Sequence, residues 1–132
     1  MSYSIKATST SNRNAKVLIK ESEIKFGITP EMNNSLPSPA ELFLASFSAC
    51  VLKNVERFSK FMKFTYTHAE ITVSAIRPEK PPRMDDITYK LIIHSQDPKL
   101  NLELLKKNIE KHGTIYNTVN LSCNIVGEII KQ

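Results

Sequence analysis

The chain has 132 residues, 41% of them hydrophobic and 23% charged, with a formal net charge of +5. This composition predicts a packed core rather than disorder, and the length suits one domain, residues 1–132, with no room for a second. No apolar run reaches the ~20 residues of a membrane-spanning helix. The basic residues are scattered, without a Lys/Arg run or interleaved aromatics, which argues against nucleic-acid binding.

From the N-terminus, Met1-Ser2-Tyr3-Ser4-Ile5-Lys6 lacks the basic-then-apolar order of a secretory signal. A cytoplasmic location, where free thiols persist, is therefore expected. The first third reads as short strands: Ser4 to Thr8, Ala15 to Lys20 after the polar turn Ser11-Asn12-Arg13-Asn14, and Glu23 to Ile28. A polar loop, Glu31 to Pro37, precedes a strong helix start at Ser38-Pro39-Ala40-Glu41. There Ser38 suits the N-cap, Pro39 the first helical position and Glu41 the third position of a capping box. Leu42 to Leu52 is apolar almost without interruption, so this part of the helix needs cover on every side. Beyond it Val55, Phe58 and Met62 keep helical spacing while Lys53, Glu56 and Lys60 face out, to an end near Lys63.

Two alternating segments follow. Thr67 to Ala75 places Ala69, Ile71, Val73 and Ala75 on one face, and Ile87 to His94 places Ile87, Tyr89, Leu91 and Ile93 inward. Between them, Arg77 to Asp86 is a proline-rich loop. Such alternation predicts antiparallel strands with one wet face. A second helix is predicted from Asp97-Pro98 to about His112, with Gly113 as its C-terminal glycine. A short segment, Thr114 to Val119, then leads to a last strand, Leu121 to Ile130. The fold class expected is α+β, an antiparallel sheet with a long central helix and a second helix. One small sheet covers only one side of the central helix, which predicts a homodimer.

The two cysteines, Cys50 and Cys123, form neither a CxxC pair nor a zinc pattern, and no metal or cofactor is expected. Cys50 sits mid-helix, where a thiol can pack as a small hydrophobe or, beside a cation, act as a nucleophile. Lys53, Asn54 and Arg57 follow at i+3, i+4 and i+7. Arg57 is the better in-helix cation because its planar fork stays charged, and Arg13, in the first hairpin turn, is the candidate from elsewhere in the fold; the choice stays open. Glu41, nine residues before Cys50, lies about 13 Å away along the axis, and its capping role accounts for it. His112 suits the C-terminal dipole of the second helix or a place near the thiol. Glu41 and His112 are thus secondary candidates. Cys123 alternates with Leu121 and Ile125 and reads as core packing.

The segment Pro37-Ser38-Pro39-Ala40-Glu41-Leu42-Phe43-Leu44-Ala45-Ser46-Phe47-Ser48-Ala49-Cys50 resembles the first half of the central helix in the OsmC/Ohr family. Glu110 to Val119 falls where that family has a counterpart, so the resemblance runs over roughly residues 37 to 130. It implies an intertwined homodimer and a thiol peroxidase that reduces organic hydroperoxides, with Cys50 as the attacking cysteine. The family's second cysteine opens the segment after the second helix, where this sequence has Gly113-Thr114. The family's arginine-orienting glutamate falls at Ala40. The resemblance therefore implies a one-cysteine cycle, with Arg13 or Arg57 beside Cys50 and an external thiol as reductant. The alternative is a non-catalytic relative that binds a small apolar molecule in a dimer pocket.

Overall fold

A computed structural model of the chain describes residues 1–132. The strongest start signal in the sequence begins its longest element, α1, Pro39–Phe61. The Ser38 Oγ accepts from the Glu41 N–H at 3.2 Å, and the Glu41 Oε1 accepts from the Ser38 N–H at 3.0 Å. This reciprocal pair satisfies two donors that a helix start would otherwise leave unpaired. At the far end Lys63 takes φ 56°, and the Phe64 N–H reaches back to the Ser59 carbonyl at 3.0 Å, the six-to-one bond of a left-handed C-terminal cap.

The chain falls into two compact units, Met1–Phe43 and Leu44–Gln132, divided within α1. The first unit carries an antiparallel sheet of β1 (Lys6–Thr10), β2 (Asn14–Ile19) and β3 (Ser22–Lys25) in that order. The three predicted strands are present, the first starting two residues later than expected. Thr10 pairs with Asn14 across the predicted polar turn, where Asn12 takes φ 62°, a conformation its short polar side chain tolerates. A 3₁₀ turn, Pro30–Met32, interrupts the predicted loop.

The second unit contains β4 (His68–Ile76), β5 (Asp85–His94) and β6 (Ile125–Lys131) in the order β4-β5-β6. β4 and β5 pair antiparallel, as their alternation predicts. Ile87, Tyr89, Leu91 and Ile93 are all buried, and Ala69, Ile71, Val73 and Ala75 are half-buried. β6, however, runs parallel to β5, so this sheet is mixed rather than wholly antiparallel. The cause is the connection: α2 (Leu102–His112) and α3 (Thr114–Asn120) lie between the two strands, and such a helical crossover delivers the next strand in the same direction.

The second helix begins later than predicted. Asp97 folds its own turn by accepting from the Lys99 and Thr65 N–H groups, each at 2.9 Å, and Asn101 caps α2 by accepting from the Leu104 N–H at 3.0 Å. The segment after Gly113 is itself helical, and its closing turn, with the Cys123 N–H on the Val119 carbonyl, delays β6 to Ile125. Phe47, Val51 and Val55 of α1 are fully buried together with Ile87, Leu91 and Ile93 of β5 and Leu105 and Ile109 of α2. Ala45, Ser46 and Ala49, on the same helix, are exposed, so the all-round cover expected for α1 is not met within one chain. The architecture is α+β.

Candidate functional site

Cys50 lies beside the buried stripe of α1, half-buried and unpaired with Cys123. One turn further along, Asn54 is 8% exposed. Its Nδ2 donates to the Cys50 carbonyl at 2.9 Å and stands 3.7 Å from the Cys50 Sγ. On another side of the sulfur is Gly113, between α2 and α3. A Cβ there would meet the Ile109 carbonyl oxygen at 2.9 Å, the Tyr116 Cβ at 3.0 Å and the Cys50 Sγ at 3.2 Å. Gly113 has φ −72° and ψ 117°, which any residue adopts. It caps α2 through its N–H on the Ile109 carbonyl, as its predicted place at the end of the second helix requires, and the space around it gives a second reason for glycine. A side chain at this position would press first on the Ile109 carbonyl oxygen and then on Tyr116 and the Cys50 sulfur.

Aromatic rings complete the neighbourhood. Phe47, one turn before Cys50, contacts Tyr89 and Tyr116 with centroids 6.0 and 5.8 Å away. The Tyr89 hydroxyl donates to Glu110 Oε1 at 3.2 Å, and Glu110 also pairs with Lys106 at 2.9 Å. Burial first, and then the Glu110 charge, push the Tyr116 hydroxyl up to about 12 and hold that of Tyr89 well above its ordinary value. Both phenols thus stay protonated at neutral pH and serve as packing and donors, not as bases.

The other sequence candidates occupy different places. Arg57 lays its guanidinium over the rings of Phe58 and Phe61, at 5.3 and 5.6 Å from their centroids, a cation–π arrangement. Arg13 belongs to the first unit, in the turn between β1 and β2, with its N–H on the Thr10 carbonyl at 3.0 Å. Glu41 is engaged in the capping pair. His112 closes α2 with its ring 5.6 Å from that of Phe58, next to Gly113. Cys123 is buried, and its thiol donates to the Met84 carbonyl at 3.1 Å. Within the second unit the structure therefore gathers Cys50, Asn54 and Gly113. Sequence reasoning placed Asn54 on the right turn by its i+4 spacing. It missed Gly113 as a neighbour of the sulfur because no local pattern encodes contacts between distant segments. No helix is long and apolar enough to cross a membrane.

Comparison with known proteins bears on the fold. An OsmC-like protein from Mycoplasma pneumoniae superposes with a TM-score of 0.88 at 16% identity, over 100% of this chain and 99% of the other. An organic hydroperoxide resistance protein from Elizabethkingia anophelis does so with a TM-score of 0.74 at 16% identity, over 100% and 99%. Another organic hydroperoxide resistance protein, from Legionella pneumophila, gives 0.69 at 16% identity, over 98% of each chain. No protein of curated function matches the chain. The sequence model of OsmC-like proteins matches residues 32–126. That is well over half of the 132 residues, and the chain belongs to the OsmC-like family.

Proposed function

We propose that the protein is a one-cysteine thiol peroxidase that reduces organic hydroperoxides through Cys50. The observation that carries this reading is the setting of the thiol: half-buried on α1, with an amide N–H donor 3.7 Å from the sulfur and a glycine backbone instead of a side chain beside it. Two of its structural relatives are named organic hydroperoxide resistance proteins. In the first step the Cys50 thiolate attacks the terminal peroxide oxygen. The S–O bond forms as the O–O bond breaks, and the alkoxide leaves with a proton as an alcohol. Cys50 is then a sulfenic acid. One external thiol condenses with it, releasing water and leaving a mixed disulfide. A second thiol releases Cys50 as a thiol and departs as the oxidised disulfide. Positive charge beside the sulfur would favour the thiolate and the departing oxygen, and Arg57, two turns further along α1, is the candidate cation within the same unit.

A second copy of the chain completes the enzyme. The exposed Ala45, Ser46 and Ala49 lie on an otherwise core-forming helix, and a homodimer would cover them. Cumene hydroperoxide consumption with dithiothreitol as reductant tests the reading. The wild type and a Cys123→Ser variant should turn over, and Cys50→Ser should not. If wild-type Cys50 reacts no faster than free cysteine, the peroxidase reading fails, and binding of a small apolar molecule beside α1 takes its place.

A further inference from the structure

We infer that Asn54 is a positioning residue for the Cys50 sulfur, a role that rests on the thiol chemistry proposed above. Its location is the first observation. Asn54 is 8% exposed between Val51 and Val55, both fully buried, where helical periodicity calls for an apolar side chain. A buried amide costs free energy unless it is hydrogen-bonded, so packing alone does not select it.

The second observation is geometric. The Cys50 carbonyl already accepts the Asn54 backbone N–H in the ordinary helical ladder. The bond of 2.9 Å from Asn54 Nδ2 to that same carbonyl is therefore not needed to satisfy it. What that bond does is fix the amide. Of the two hydrogens on Nδ2, one is held by the carbonyl, and the other is free for the Sγ at 3.7 Å. The third observation is the neighbour at the end of α2. A Cβ at Gly113 would lie 3.2 Å from the sulfur, and because the residue is glycine no side chain there crowds the sulfur or competes with the amide for it. A donor held in this way strengthens as charge gathers on the sulfur, and it favours the nucleophilic form over the neutral thiol. The ionisable groups on the surrounding elements include Lys53 and Arg57 on α1, Glu110 and His112 on α2, Tyr116 on α3 and Tyr89 on β5. All of them are the same in every variant below.

The test uses the full chain and iodoacetamide as a probe of Cys50, in a Cys123→Ser background. Asn54→Ala should slow alkylation about three- to tenfold near pH 7 and leave it within about twofold of wild type near pH 10, where thiols are ionised regardless. Asn54→Asp, of the same shape but without the donor, should be slower still near pH 7 because its carboxylate repels the thiolate. Asn54→Ser serves as a second donor-shortening variant if either of these fails to fold by circular dichroism. Variants that alkylate like wild type near pH 7, or that are slowed equally at both pH values, overturn the inference. Hydroperoxide turnover is measured in parallel. An inert wild type whose alkylation still depends on Asn54 would remove the peroxidase reading and keep the positioning role.

Discussion

Cys50 and Cys123 are the same residue in one chain, yet their surroundings are opposite in kind. Cys123 is buried in the turn between α3 and β6 and gives a hydrogen bond, to the Met84 carbonyl at 3.1 Å. Cys50 is half-buried on α1 and faces a donor, the Asn54 amide at 3.7 Å. A sulfur that gives its hydrogen to a carbonyl is tied into the fold. A sulfur that faces an N–H accepts instead, and such a donor favours negative charge on it. The two thiols thus differ in environment, and it is the environment of a thiol, not its presence in the sequence, that governs reactivity.

The largest expected effect that sharpens this contrast is covalent. In a disulfide the Cβ of one cysteine lies about 3 Å from the Sγ of the other, and the Gly113 Cβ position is 3.2 Å from the Cys50 Sγ. Gly113→Cys should therefore cross-link to Cys50 under mild oxidation, with Cys123 left free. Intact mass before and after thiol labelling reads the result. When reduced, the same variant should unfold more readily than wild type, because its Cβ stands 2.9 Å from the Ile109 carbonyl oxygen. A variant that keeps all its thiols free under oxidation would mean that the sulfur does not sit against Gly113.

Next in size is stability. Cys123→Ala empties a packed site and removes the partner of the Met84 carbonyl, and should cost about 1–2 kcal/mol in urea unfolding. Cys50→Ala, at a half-buried position, should cost less than about 1 kcal/mol. Equal costs would break the comparison.

The smallest effect is a dependence on acid. The backbone N–H of Asn124, the Arg83 guanidinium and the N–H of Asp86 all hold the Asp85 carboxylate, lowering it from 3.8 to about 2. This clamp stands beside Met84 and Cys123. Because the folded value lies below the unfolded one, its contribution is present above about pH 4 and fades as pH falls through about 2. Asp85→Asn should flatten the loss of stability over that interval without altering Cys50 reactivity near neutral pH. A variant with the wild-type acid profile would show that the clamp contributes nothing.

Much of the fold was legible because its signals are local. The capping pair of Ser38 and Glu41, the alternation of β4 and β5, and the turn at Asn12 all depend on residues a few positions apart. The errors lie where distant groups decide. Asp97 looked like a helix start, but its carboxylate is taken by Lys99 and by Thr65, 32 residues away. The final strand looked like one more antiparallel partner, but the connection through α2 and α3 is a crossover that returns it parallel to β5. At the site, Cys50 and Asn54 share one helix and could be read from their spacing. Gly113 was visible only as the end of a helix, because its approach to the sulfur depends on how α2 packs against α1.

The central claim is that Cys50, and not Cys123, is the oxidisable thiol. Brief treatment of the full chain with cumene hydroperoxide, followed by dimedone trapping and peptide mass analysis, tests it most directly. The prediction is a dimedone adduct on the peptide that contains Cys50, absent when dithiothreitol precedes the trap, with the Cys123 peptide unmodified. An adduct on Cys123, or none on either peptide while both thiols remain free, would contradict it.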